Sequence, residues 1–334
     1  MGYGFGSAAL ASVVLFSWLG TNVRALFCIC AVVVIITASM TLRGAKEQQL
    51  RLPEDIRAPT VRQVMKRMWH GIKNTPKPIA RAFWVQFWSY FAWDCTFIYG
   101  SDWMGRVVYG GDPEADEDSP EYRLFYDGVT AANLGFLLMA LISIGWGLAL
   151  PWACRRCPGG IRVVWGACLL LLCILLFSTT AVGEGQRGQA VFLFALLGFP
   201  KAVAYQIPWS IVTVTLAADG QEQSSTASQY DLGLGNRRGL YTTIFNLSQA
   251  SPEILVSLLG GPCIYVFNGH LTSVLVMGGL GALAAVGLCV RVLEPPTLYN
   301  RHASDTRKQS MEMPPVHTDQ EASSQPVQSL PAAV

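Results

Sequence analysis

The residues able to do chemistry in this chain are few, and most of them stand inside long apolar sequence. Asp94 lies in Trp93-Asp94-Cys95, and a little further on Ser101-Asp102-Trp103-Met104-Gly105-Arg106 closes the same apolar run. Asp102 and Arg106 are four residues apart, which puts both on one helical face within ion-pair reach. A carboxylate beside an arginine in a partly dry cavity can exchange partners when a proton or a polar ligand arrives. Asp94, Asp102 and Arg106 are therefore candidates for coupling a proton to a bound molecule; a static pair marking a helix end is the other reading.

A second group is Gly198-Phe199-Pro200-Lys201-Ala202-Val203-Ala204-Tyr205-Gln206-Ile207-Pro208-Trp209. Its two prolines free backbone carbonyls, which at membrane depth are tolerated only against protein or water. Lys201, Tyr205 and Gln206 offer polar groups, and Tyr205, Pro208 and Trp209 offer flat apolar surface. Hydrogen bonds to hydroxyls and rings against C–H faces are what a sugar needs. An ordinary kinked helix whose lysine snorkels to an interface would look the same. A third group, Asn246, Gln249 and Glu253, has spacings of three and seven, so it forms a polar stripe on one helix face. Such a stripe lines a pathway or bonds neighbouring helices.

These residues do not assemble into an enzyme. There is no GxSxG, no HExxH, no phosphate-binding loop and no Ser/His/Asp cluster. Cys154 and Cys157 form a CxxC without the second half of a zinc site, and most of the nine cysteines lie in apolar runs. Neither a metal nor a cofactor is expected.

The elements that must hold these groups are membrane spans. The chain is 51% hydrophobic and 14% charged, against about 25% charged in soluble domains. Eight runs approach the ~20 apolar residues that cross a bilayer: Tyr3–Leu19, Val23–Leu42, Ile79–Gly100, Gly128–Trp152, Val163–Val182, Ala190–Ala218, Leu240–Phe267 and Leu271–Leu293. With the N-terminus inside, 18 of the 24 Lys and Arg residues fall in inner loops or the tail and four in outer loops, so both termini are expected in the cytoplasm. The segment 111–121 has six acids and no base and belongs outside. Residues 61–72 alternate apolar and basic side chains at helical spacing, as an amphipathic helix on an anionic leaflet or a packing helix would. Residues 294–334 have the composition of a disordered cytoplasmic tail.

The specific resemblance lies in Asp102 to Asp112, Asp-Trp-Met-Gly-Arg-Val-Val-Tyr-Gly-Gly-Asp, which resembles the DWMGREVYGG signature of the plant sucrose–proton symporters. Pro78 to Trp93, Gly198 to Pro208 and Gly239 to Pro262 are similar to that family in order and interval. The resemblance implies an all-α, major-facilitator-type bundle. The eight spans would correspond to helices 5–12, the first four helices having no counterpart. It divides the chain into residues 1–42, a two-helix remnant of the N-terminal bundle; 43–78, a cytoplasmic loop; 79–293, a six-helix C-terminal bundle; and the tail. It implies proton symport of sucrose or a related disaccharide or glucoside, with Asp102 and Arg106 at positions implicated in transport. The implied partners are the sugar, a proton and the bilayer, with no nucleic acid; a second chain could supply the missing helices. The plasma membrane is the expected location, a vacuolar or other internal membrane the alternative. Three positions depart from the family: Val107 replaces its Glu, Lys201 its Leu, and Asp94 an apolar residue or proline. Val107 and the missing helices also fit a non-transporting homologue acting as a sugar sensor or partner subunit.

Overall fold

A computed structural model describes residues 23–44, 60–73, 75–224 and 234–292. The predicted span Tyr3–Leu19, residues 45–59 of the predicted inner loop and the predicted tail lie outside the described residues. All regular structure among the described residues is helical: α1 (Val23–Gly44), α2 (Val61–Lys73), α3 (Lys77–Trp103), α4 (Pro120–Arg156), α5 (Gly160–Ser178), α6 (Arg187–Leu196), α7 (Gly198–Ser224), α8 (Leu234–Val266) and α9 (Thr272–Val292).

Four segments are long and apolar enough to cross a membrane: Pro120–Arg156, Gly160–Ala181, Arg187–Ala217 and Thr272–Cys289. The chain is an all-α, multi-pass integral membrane protein. Leu141, Leu148, Ile174, Leu258 and Leu280 face outward from the bundle, where only lipid accommodates such a surface. The predicted spans over α3 and α8 are helices of 27 and 33 residues, long enough at 1.5 Å per residue for a core of about 30 Å. They fall outside the apolar set because α3 carries Gln86, Ser89, Asp94 and several Trp and Tyr, while α8 carries Asn246, Gln249 and Glu253. α3 packs against α9, α8, α7 and α4, so its polar residues have protein beside them.

In lipid there is little hydrophobic drive between helices, so close packing and polar contacts hold them together. The C-terminal end of α3 illustrates this. It widens into a π-helical turn, Met104–Val108, and a Cβ placed on Gly128 of α4 would stand 2.6 Å from the Gly105 Cα. The two backbones meet glycine to glycine. Gly110, at φ +67, turns the chain next to the Glu184 carboxylate, a conformation glycine adopts without strain. The Trp103 indole N–H donates to the Thr272 hydroxyl at 3.0 Å, tying α3 to the start of α9. α4 begins on Ser119, whose Oγ accepts from the Tyr122 N–H at 3.1 Å, with Pro120 following as a first helical residue.

The predicted sixth span, residues 190–218, is long enough to be tilted or broken, and it is interrupted. α6 ends at Leu196 and α7 starts at Gly198. The break lies where α7 crosses α4: a Cβ on Gly198 would sit 2.5 Å from the Met139 carbonyl oxygen. Pro200 lies in the first turn of α7, where a missing N–H is harmless. Pro208 lies deep inside the helix and cannot donate to the carbonyl four residues back, that of Ala204. Gln86 of α3 fills the gap: its Nε2 donates to the Ala204 oxygen at 2.9 Å, fully buried.

The predicted amphipathic helix is present as α2. Met65, Trp69 and Ile72 are exposed, Lys73 stands 5.5 Å from the Trp69 ring centre, and Gly71 packs against Leu240 of α8.

Candidate functional site

The polar residues of α3 sort into one interior seam and one outer cluster. Gln86, Ser89 and Trp93 recur at spacings of three and four and are fully buried. The face they form meets α7, as the Gln86 bond to Ala204 shows. Asp94 follows at its edge, half-buried, with Oδ2 enclosed and without a hydrogen-bond partner; the Ser89 hydroxyl, the Gln86 Oε1 and the Trp93 indole N–H are likewise unpartnered. Unpaired polar groups in so apolar a setting are costly, on the order of 1–3 kcal/mol each, and single the seam out as a candidate site.

Lys201 of α7 projects into this seam. It is 5% exposed, and its ammonium lies 4.2 Å from the ring centre of Phe97, 4.5 Å from Trp93, 4.7 Å from Tyr205 and 5.8 Å from Tyr90. Four aromatic faces around one cation stabilise it by their ring quadrupoles. No carboxylate approaches it to 4 Å among the described residues. Asp94 stands next in sequence to Trp93, one of the four rings. Tyr205 meets Tyr90 edge to face at 6.2 Å, and the Gln206 amide rests on Gly147 of α4.

The other predicted residues lie further out. Gln249 is half-buried with its Nε2 enclosed and unpartnered, whereas Asn246 and Glu253 on the same helix are exposed. Trp209 packs on Phe245 at 5.1 Å, two helical turns from Lys201. The structure thus joins Lys201 and Tyr205 to the stretch of α3 that carries Trp93 and Asp94, and places Trp209 on Phe245.

The predicted Asp102–Arg106 pair forms, at 3.2 Å, with both side chains 37% exposed. Arg106 also reaches Glu114 at 3.5 Å and Asp112 at 3.9 Å, so the acidic segment folds back onto it. Eight residues separate Asp102 from Asp94, about 12 Å along the helix. The arginine cluster is a separate, wetter group at the mouth of the bundle.

Sequence reasoning missed Gln86, Ser89, Tyr90, Trp93 and Phe97. The Gln86-Ser89-Trp93 spacing was the available signal for the first two; the rings read as ordinary core.

No protein-family model matches the chain. It is 30% identical over 259 residues to the sucrose transport protein SUC3 of Arabidopsis thaliana, covering 72% of this chain and 40% of that protein. The chain is similar in sequence to plant sucrose transport proteins. It is also 28% identical over 216 residues to the sucrose transport protein SUT1 of Oryza sativa subsp. japonica, covering 59% of the chain and 37% of the relative. To SUT5 of Oryza sativa subsp. indica it is 24% identical over 307 residues, 82% of the chain and 54% of the relative. The chain thus spans 37% to 54% of the length of these relatives.

Proposed function

We propose that the protein takes part in secondary active transport of sucrose, or a related disaccharide or glucoside, by proton symport across a membrane. The observation that carries this reading is the meeting of a carboxylate, a caged lysine and unpartnered hydrogen-bonding groups inside an apolar bundle, in a chain related to sucrose transport proteins. In a major-facilitator-type transporter such a midplane site is exposed to each side in turn as the helical bundles rock. Gln86, Ser89, Tyr205, Gln206 and Gln249 have the chemistry to bond sugar hydroxyls, and rings such as Trp93 and Trp209 that of a platform for sugar C–H faces. Asp94, Asp102 and Arg106 are the groups through which protonation could alter sugar affinity.

The test is uptake of radiolabelled sucrose into membrane vesicles carrying the protein, with the outer medium acidified or matched to the interior. Uptake faster with acid outside is expected. Equal uptake with and without the gradient rejects proton coupling, and no uptake of sucrose or maltose above empty vesicles rejects transport of these sugars.

A further inference from the structure

We infer that α2 is a lipid-docking helix: its exposed apolar stripe enters the surface of the bilayer, and the basic stripe beside it takes the headgroups of anionic phospholipids. The inference stands whatever the protein carries. Gly71 of α2 packs against Leu240 of α8 so closely that a Cβ on it would stand 2.5 Å from the Leu240 Cδ2, so that side of the helix is taken by protein. On the other side, at about 100° per residue, Ile72, Met65 and Trp69 form an apolar stripe about 60° wide, and Arg62, Lys73 and Lys66 form a basic stripe about 40° wide next to it. All six side chains are exposed, Met65 and Trp69 to 61%. Single apolar residues on a surface need no explanation, but an aligned row of them marks a contact.

Position and charge say what makes that contact. Only residues 74–76 separate α2 from the span α3, and the Thr75 hydroxyl donates to the Gly71 carbonyl at 2.9 Å, which fixes the turn. Leu240 opens the apolar run of α8. α2 is thus held where two spans enter the bilayer. From Val61 to Lys77 there are five Lys or Arg and no Asp or Glu; the acids Asp112 and Glu114 gather at the other end of α3, around Arg106. The Lys73 ammonium stands 5.5 Å from the Trp69 ring centre. α3 and α4 are consecutive spans, so the end of α4 lies on the same side as α2. There the Arg156 guanidinium stands 5.3 Å from the ring centre of the exposed Trp152. An indole at the boundary, with a cation reaching past it to the headgroups, is how these residues sit at a membrane surface. A basic amphipathic helix so placed binds by apolar insertion and by attraction to anionic lipid together.

The test places the full chain in vesicles of phosphatidylcholine, alone or mixed with phosphatidylglycerol, and reads backbone hydrogen exchange over residues 61–73. Each cation near an anionic surface is worth about fivefold in binding. Arg62, Lys66 and Lys73 together should therefore slow exchange by about a hundredfold in the anionic vesicles, an effect that high salt erases. Arg62→Gln, Lys66→Gln and Lys73→Gln combined should remove the lipid difference and leave the melting temperature of the bundle unchanged. Trp69→Ser should speed exchange in both kinds of vesicle, because the apolar stripe acts whatever the headgroup charge. Lipids brominated on their acyl chains should quench part of the wild-type tryptophan emission, and that part should be missing in Trp69→Phe. Equal exchange in the two vesicles, or a difference that survives in the triple variant, overturns the assignment, as does a quenched fraction that Trp69→Phe leaves unchanged. Protection that ignores headgroup charge and rises with protein density gives the stripe to a second copy of the chain instead.

Discussion

Replacing Gln86 by Met tests how α7 survives its internal proline. Met fills nearly the volume of Gln but has no N–H, and Pro208 has none to offer, so the Ala204 carbonyl loses the donor that now reaches it at 2.9 Å. An orphaned buried carbonyl costs about 1–3 kcal/mol. Two effects reduce that figure. Polar contacts measured inside membranes average about 0.6 kcal/mol, with a maximum near 1.7, and the substitution also removes the Gln86 Oε1, itself buried and unpartnered. The expected net loss is about 0.5–2 kcal/mol, or a fall of a few degrees in Tm at about 2–4 °C per kcal/mol. Pro208→Ala supplies the check, because it restores a backbone N–H at that position, which can bond the Ala204 oxygen within the helix. In that background Gln86→Met should cost about 1 kcal/mol less. The assay is thermal unfolding of the purified protein in detergent for wild type, both single variants and the double variant. A Gln86→Met loss of equal size with and without Pro208 would show that the carbonyl does not depend on Gln86.

Further outcomes follow from the same contacts. Trp103→Phe and Thr272→Val should each lower stability by about 1 kcal/mol, and together by little more than either alone, since both delete one bond; additive melting shifts would contradict this. Gly260→Val drives a side chain into the Tyr99 hydroxyl and should cost about 1–3 kcal/mol by overpacking, with part of the loss recovered in Tyr99→Phe; detergent melts decide it. Arg106→Gln should change stability by less than about 1 kcal/mol, because its ion pairs are exposed, so any large fall in sucrose uptake at normal expression would mark a functional role.

What the sequence revealed depended on how local each contact is. Asp102 and Arg106 pair because four residues on a helix bring them together whatever surrounds them, and that was readable in advance. Their capture of Asp112 and Glu114 was not, since it needs the loop to fold back. The need for a partner at the carbonyls freed by Pro200 and Pro208 could also be read. The partner itself, Gln86, stands 118 residues from Ala204 and only helix packing introduces them. Lys201 was legible as a charge in an apolar run, but its cage is built mainly from rings of another helix. The length of the sixth span left room for a break, but its position before Gly198 was not legible because hydropathy stays high across it. It arises from the crossing with α4, a property of two helices. Gln249 and Glu253 were grouped with Asn246 by spacing, yet burial separates Gln249 from the other two.

The interruption ahead of Gly198 sets the leverage available to this part of the protein. Lys201 sits three residues beyond that joint, about 4.5 Å along the axis, whereas Ser224 lies about 39 Å away. Tilting α7 by about 10° there carries the lysine backbone less than about 1 Å but sweeps the far tip through about 7 Å. In such a tilt the lysine would stay near the fulcrum while the opposite end of the helix moved furthest.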